Sequence, residues 1–158
     1  AVFAENLNGI SEMRPGVYMF GDLFQAGLGT RTIGEIAISV LATVMAHGRD
    51  HNQVYIDAGG LAMSKDRATA ALDDDCGFGL VCDWATAEPI PGLLVASVHQ
   101  EHGQVTGEGP VPFDDLPVGS KVRVLPNHVC MTAAAYDGYN VIDGSTEVIA
   151  TWGRCNGW

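Results

Sequence analysis

The sequence has 158 residues, of which 47% are hydrophobic and 17% charged, and its 19 acidic and 8 basic side chains give a formal net charge of −11. This composition is typical of a folded protein with its own core and excludes a disordered chain. The acidic excess also argues against a nucleic-acid or anionic-membrane surface, because both need clustered Lys and Arg.

Residues 1–29 differ in pattern from the rest of the chain. They are predicted to form a short helix or turn, then a strand at residues 17–20 ("VYMF") between a Pro-Gly and a Gly-Asp pair, then a loop. The start of the sequence carries acidic residues and no basic region followed by an apolar one. We therefore expect no secretory signal. The four cysteines include no C-x-x-C pair, so they are expected to be reduced thiols in a cytoplasmic protein.

Residues 32–48 are predicted to form one long strand, because β-branched residues dominate and suit a pleated surface. Further strands are predicted at residues 53–60, 79–85, 92–107 and 120–126, and a hairpin at residues 140–152. The alternation is clearest where Val122 and Val124 share one face of a strand. The sequence therefore predicts a mostly β fold, with an antiparallel β domain over residues 30–158.

His128 and Cys130 come after the strand that Pro126 is expected to end. In an extended segment their side chains point to the same side, and imidazole and thiolate together suit Zn²⁺. A structural zinc site needs two more protein ligands, for which His99 and His102 are candidates. The spacing alone leaves packing, a redox pair and a metal site open.

Gly16 and Val17 lie in "RPGVY", just before the predicted first strand. A glycine lets the backbone approach a ligand closely, and adjacent amide groups can bind a phosphate. An ordinary Pro-Gly turn is the alternative. The two lysines, Lys65 and Lys121, lie in polar surroundings, so neither is expected to form a Schiff base, which needs a desolvated amine.

Two motifs together carry a family resemblance. "EMRPGVYMFGD" near the start and "LPNHVCMTAAAYD" in the second half resemble the D-serine dehydratase / D-threonine aldolase family, relatives of fold-type III pyridoxal phosphate enzymes such as alanine racemase. "IDAGGLAMSKDR", "EHG" and "ATWGRCNGW" are similar to that family too. The resemblance spans the chain but covers only the C-terminal part of family members, whose N-terminal part is a (β/α)8 barrel.

The resemblance implies a role for each part of the chain. Residues 1–29 would be the last strand and exit of the cofactor-binding barrel, and residues 30–158 the C-terminal β domain with the metal site. His128 and Cys130 match the family's metal-binding pair. A cysteine there favours the dehydratase branch with zinc over the aldolase branch, which typically has aspartate and Mn²⁺ or Mg²⁺. Gly16 and Val17 match the backbone positions that hold the pyridoxal phosphate group.

The activity that the resemblance implies is a pyridoxal phosphate- and zinc-dependent D-amino-acid lyase. A D-serine dehydratase-like enzyme would eliminate water from a β-hydroxy-D-amino acid to give a keto acid and ammonia. The alternatives are D-threonine aldolase-type Cα–Cβ cleavage, a 3-hydroxyaspartate dehydratase, and a non-catalytic metal-binding or assembly domain. No catalytic residue beyond the metal ligands is expected in this chain. We expect a homodimer that needs the N-terminal barrel part for activity.

Overall fold

The computed structural model describes residues 6–155. The strands are β1 (Val40–Gly48), β2 (Gln53–Ile56), β3 (Gly79–Asp83), β4 (Pro89–Val98), β5 (Gly103–Gly107), β6 (Lys121–Pro126), β7 (Gly138–Val141) and β8 (Ala150–Gly153). The α-helices are short: α1 (Leu23–Gly27), α2 (Gly60–Met63) and α3 (Val129–Ala134). None of the helices in the described part has the length and apolar character that crossing a membrane requires.

Strands β1 to β6 close into a barrel in the order β1-β2-β5-β4-β3-β6, and every neighbouring pair is antiparallel. Val122 and Val124 of β6 are buried, as their alternation predicts, and Val124 pairs with Val40 of β1. Closure removes the open sheet edges that a flat sheet would leave unpaired. The predicted antiparallel β domain is therefore confirmed, in the form of a six-stranded barrel.

The barrel interior is a core made mainly of β-branched side chains. Its fully buried members include Val44, Val54, Ile56, Val81 and Val95. Burying a side chain of this size contributes about 1.5–3 kcal/mol relative to leaving it exposed. The core therefore packs together the strands from whose ends the loops and short helices begin.

The segment 32–48 is only partly a strand. A 3₁₀ turn at Ile33–Glu35 comes first, and β1 begins at Val40. Glu35 Oε2 accepts hydrogen bonds from both the backbone N–H and the hydroxyl of Thr32, at 2.7 and 3.0 Å. These hydrogen bonds stabilise a turn that β propensity alone does not predict. The prediction of one long strand over residues 32–48 was therefore wrong over its first part.

Residues 17–20 form a turn, and the strand predicted there is wrong. The turn is closed by Gly21 N–H, which donates to Val17 O at 2.8 Å. A strand needs a neighbour to complete its ladder, and no described strand pairs with this segment. The assignment of residues 1–29 to the exit of a larger barrel stays a prediction.

Strands β7 and β8 form a separate two-stranded antiparallel sheet, in which Val141 pairs with Ala150. This confirms the predicted hairpin. Its connection spans residues 142–149, so it is longer than a tight turn. The ring of Tyr139 in β7 packs edge-on against Phe20 with 5.2 Å between ring centroids, so this sheet contacts the N-terminal segment.

Candidate metal and cofactor site

His128 lies at the junction between β6 and α3. Its backbone is extended, with φ −135° and ψ 122°, and it occupies the N-cap position of α3, whose first turn contains Cys130. The prediction that both side chains lie on one face of an extended segment is therefore wrong. Pro126 ends the ladder as expected, but the chain turns into a helix within three residues. The two residues are still close along the chain, with Val129 between them at this junction.

Asn127 anchors the junction from within. Its side chain is 1% exposed and makes three hydrogen bonds: Nδ2 donates to Thr69 Oγ1 and to Gly77 O, both at 2.6 Å, and Oδ1 accepts from Thr69 N–H at 3.2 Å. Gly77 has φ +58°, and a Cβ at this position would lie 2.5 Å from Val95 O. Only glycine fits the turn that brings its carbonyl to Asn127.

Asp22 reaches the same junction from the N-terminal segment. Its carboxylate is fully buried: Oδ1 accepts from Gln25 N–H at 2.8 Å, which caps α1, and Oδ2 accepts from Val129 N–H at 2.9 Å, in the first turn of α3. The same Oδ2 lies 3.1 Å from His128 Nδ1. A role for Asp22 was not predicted from the sequence. Its one local signal is an aspartate directly before a short apolar segment, the N-cap pattern.

The two edges of the His128 ring differ in environment. Nδ1 is buried and close to Asp22 Oδ2, although off the line of a well-formed hydrogen bond. The side chain as a whole keeps 26% of its exposure. The ring therefore faces protein along its Nδ1 edge and remains accessible elsewhere.

Cys130 is exposed on α3 and is a free thiol. Partial desolvation is the largest cause that raises its pKa, and the negative charges of Asp22 and Asp66 raise it further. A bare thiolate is thus disfavoured at this position. A bound cation would offset the same negative charges, and imidazole with thiolate is a donor set that suits zinc.

His99 and His102 do not join this pair. They lie in the turn between β4 and β5, which is closed by His99 N–H donating to His102 O at 2.8 Å, and His99 Nε2 is 3.2 Å from Gln104 Nε2. Within residues 6–155, no three His, Cys, Asp or Glu side chains gather as a metal site. A closed four-ligand structural site is therefore not formed by the described residues.

Gly16 and Val17 lie in the segment that leads to Asp22, and Val17 is half-buried. Gly16 is exposed, and no heavy atom lies within 4 Å of the position that a Cβ would take. Among the described residues, neither amide group donates a hydrogen bond, while Val17 O accepts from Gly21 N–H. Two available amides beside open space suit an anionic oxygen.

Lys65 and Lys121 are both exposed, and Lys121 Nζ donates to Thr43 Oγ1 at 2.7 Å. Neither amine has the desolvated setting of a Schiff-base lysine. That neither lysine carries the cofactor stays a prediction.

Sequence comparison matches residues 37–142 to the family described as "Putative serine dehydratase domain". The chain is 40% identical over 164 residues to D-threo-3-hydroxyaspartate dehydratase of Delftia sp. (strain HT23) and 31% identical over 152 residues to D-serine dehydratase of Dictyostelium discoideum. It covers 42% and 38% of the lengths of these proteins, and they match 100% and 95% of it. An uncharacterized protein of Mycobacterium tuberculosis is 31% identical over 133 residues, and the chain covers 91% of it.

Solved structures agree in fold. The Delftia dehydratase superposes with a TM-score of 0.86 at 38% identity, over 99% of this chain and 42% of that one. An alanine racemase-like protein of Idiomarina loihiensis gives 0.86 at 39% identity, over 99% and 41%, and D-threonine aldolase of Filomicrobium marinum gives 0.61 at 26%, over 89% and 34%. Two further structures are alanine variants of D-threo-3-hydroxyaspartate dehydratase at a histidine and at a cysteine two positions later, the cysteine variant being described as metal-free.

Proposed function

The chain belongs to the serine dehydratase domain family, and from this we propose that it is the C-terminal part of a pyridoxal phosphate- and zinc-dependent D-amino-acid lyase. The reaction converts a β-hydroxy-D-amino acid into a keto acid and ammonia through loss of water. The observation that carries the proposal is the His128–Cys130 pair, an accessible imidazole and an exposed thiol two positions apart at the junction of β6 and α3.

His128 and Cys130 are the residues that would hold the metal. The relative's histidine and cysteine variants have the same spacing, and the metal-free state of its cysteine variant supports the role of Cys130. Bound zinc supplies Lewis-acid activation of a substrate hydroxyl. Two protein ligands leave coordination positions open, which a reaction at the metal needs and a structural site does not offer.

The other residues discussed above would position the metal pair or bind the cofactor. Asn127, the residue before His128, is fixed by three buried hydrogen bonds of its side chain. Gly16 and Val17 would donate their amide hydrogens to the phosphate of the cofactor. Pyridoxal phosphate supplies an electron sink for the substrate Cα. The base that removes the Cα proton, and the lysine that binds the cofactor, would belong to the N-terminal barrel part of the complete enzyme.

The substrate has two main candidates. D-Serine is the first, and D-threo-3-hydroxyaspartate is supported by the higher identity to that dehydratase, 40% against 31%. Aldol-type cleavage of D-threonine is less supported, because the aldolase structure is 26% identical with a TM-score of 0.61 and because Cys130 is a soft ligand.

The proposal extends to partners and location. Large apolar side chains are exposed through the N-terminal segment, at Leu7, Ile10, Met13, Tyr18 and Met19. They support packing of this segment against the N-terminal barrel part, in an enzyme that we propose to be a homodimer.

The four cysteines are free, which supports a reducing, cytoplasmic location.

The proposed function is tested by joining the chain to an N-terminal barrel part and assaying D-serine and D-threo-3-hydroxyaspartate for keto-acid formation. We expect activity that a chelator abolishes and zinc restores. Cys130→Ala should lose it, while Cys155→Ala, at another exposed free cysteine, should keep it. Activity that survives both the chelator and Cys130→Ala would refute the metal role. Glycine and acetaldehyde from D-threonine, without keto acid, would favour the aldolase.

A non-catalytic role is a second candidate, and one observation favours it. The chain covers 91% of the Mycobacterium tuberculosis relative, which leaves that protein no room for a large cofactor-binding barrel. A metal-binding or assembly domain of this size is the alternative for the present chain. Absence of a bound pyridoxal phosphate absorbance band in the joined protein would support it.

A further inference from the structure

We propose that Asp22 is a positioning residue for the metal pair: it engages Nδ1 of His128 and so leaves Nε2 as the ring nitrogen that binds the metal. The inference rests on the proposed function, since it concerns the histidine of the His128–Cys130 pair. It adds a residue from the N-terminal segment to a site whose two ligands lie at the junction of β6 and α3.

The contacts of Asp22 fix the direction of its carboxylate. One oxygen is held by Gln25 N–H and the other by Val129 N–H, at 2.8 and 2.9 Å, with the side chain fully buried. The carboxylate therefore cannot turn away from the junction without losing a buried hydrogen bond. Oδ2, already accepting from Val129, presents an acceptor 3.1 Å from His128 Nδ1.

His128 Nδ1 makes no well-formed hydrogen bond to the described residues, and Asp22 Oδ2 lies 3.1 Å from it, off the line of one. A negative charge at that distance favours the ring form that carries its hydrogen on Nδ1. In neutral imidazole one nitrogen carries the hydrogen and the other the lone pair, so the lone pair falls on Nε2. Nδ1 is also buried, whereas the side chain keeps 26% of its exposure. The exposure of the side chain therefore comes from atoms other than Nδ1, which leaves Nε2 as the nitrogen that we propose for the metal. A carboxylate behind the second nitrogen of a metal-bound histidine orients the ring and increases its basicity as a ligand.

If Asp22 had only a structural role, the expected experimental results would differ. As the N-cap of α1 and a link to α3, Asp22 would then affect stability and leave the ring form of His128 unchanged. The ring form and the identity of the metal-bound nitrogen are therefore the decisive readouts.

The test uses the ¹⁵N-labelled 158-residue chain and long-range ¹H–¹⁵N spectra of its imidazoles, with His128→Gln to assign the signals. Metal-free wild type should show the hydrogen on Nδ1, and ¹¹³Cd should couple to Nε2. Asp22→Asn should give a mixed ring form and weaken zinc and cadmium binding about 10- to 100-fold. Asp83→Asn is the matched control: the Asp83 carboxylate also accepts from two backbone amides, of Ala85 and Thr86. It should leave both readouts at their wild-type values.

Two results would overturn the inference: hydrogen on Nε2 in the metal-free wild type, or an Asp22→Asn variant with wild-type affinity and unchanged coupling. The first needs no variant, so the inference remains falsifiable if Asp22→Asn fails to fold. Failure of the proposed metal role has its own signature, because the wild type would then bind neither zinc nor cadmium while the metal-free ring form still tests Asp22.

Discussion

Asn127 and Thr69 exchange two hydrogen bonds in the interior, from Asn127 Nδ2 to Thr69 Oγ1 at 2.6 Å and from Thr69 N–H to Asn127 Oδ1 at 3.2 Å. Both residues are buried, and they come from distant parts of the chain. Because Asn127 directly precedes His128, this exchange ties the proposed metal ligand to the segment between α2 and β3. The position of His128 therefore depends on a buried polar contact that is not itself part of the proposed metal site.

Asn127→Ala should lower the free energy of unfolding by about 3 kcal/mol, because Thr69 N–H and Gly77 O would be left buried without partners. Urea unfolding of the chain measures it. Asn140→Ala, at an exposed position of β7, should change the same quantity by less than about 0.5 kcal/mol. A loss for Asn127→Ala as small as that of Asn140→Ala would contradict the anchoring role.

Alkylation at pH 8 should separate the cysteines. Burial is the largest cause that raises the pKa of Cys82, to about 12, so at pH 8 almost none of its thiolate is present and it should stay unmodified in the folded chain. Peptide mapping by mass spectrometry should find the exposed Cys155 modified, and Cys82 modified only after unfolding. Modification of Cys82 at the rate of Cys155 in the folded protein would contradict its burial.

Zinc should protect Cys130 from the same reagent. Both Cys130 and Cys155 are exposed, and only Cys130 belongs to the proposed metal pair. Saturating zinc should therefore suppress labelling of Cys130 and leave labelling of Cys155 unchanged. Equal protection of the two thiols would point to binding outside the pair.

Cys130→Asp should change which metal the site prefers. A carboxylate is a harder ligand than a thiolate, so the preference for zinc over Mn²⁺ should fall at least about tenfold. Competition titrations of the chain with the two metals measure this ratio. Cys155→Asp is the control and should leave it unchanged; an unchanged ratio in Cys130→Asp would remove Cys130 from the metal's ligands.

Gly16→Val should weaken cofactor binding in the joined enzyme without destabilising the chain. The space beside Gly16 is open, with no heavy atom within 4 Å of an added Cβ, so the side chain would occupy the proposed phosphate position. We expect about a tenfold or larger loss of pyridoxal phosphate affinity, or about 1.4 kcal/mol, in an absorbance titration. Gly34→Val, also beside open space, should bind normally. Normal binding in both variants would exclude Gly16 from the phosphate site.

The barrel strands were accessible to sequence reasoning because their signal is local. Val122 and Val124 alternate with Lys121 and Arg123, and burial matches that alternation. The strand predictions fail where a different local or distant interaction decides. Thr32 and Glu35 form a cap that replaces the start of a strand, and residues 17–20 lack a described strand to pair with.

The candidate site was accessible only in part, for the same reason. The spacing of His128 and Cys130 is visible in the sequence, but the helix that begins between them is not, since Pro126 signals the end of β6 without indicating that a helix comes next. The role of Asp22 could not be predicted from the sequence, because only the fold brings its carboxylate to Val129 and His128.

The most direct test of the central claim is X-ray absorption at the zinc edge, on the chain loaded with a single zinc ion. We expect a coordination sphere with one sulfur at ~2.3 Å and one imidazole nitrogen. The remaining ligands should be oxygen atoms from solvent and not from further side chains. The sulfur should vanish in Cys130→Ser and the imidazole signal in His128→Gln. A coordination sphere with no sulfur, with two sulfurs, or with more than one imidazole would contradict an open site made by His128 and Cys130.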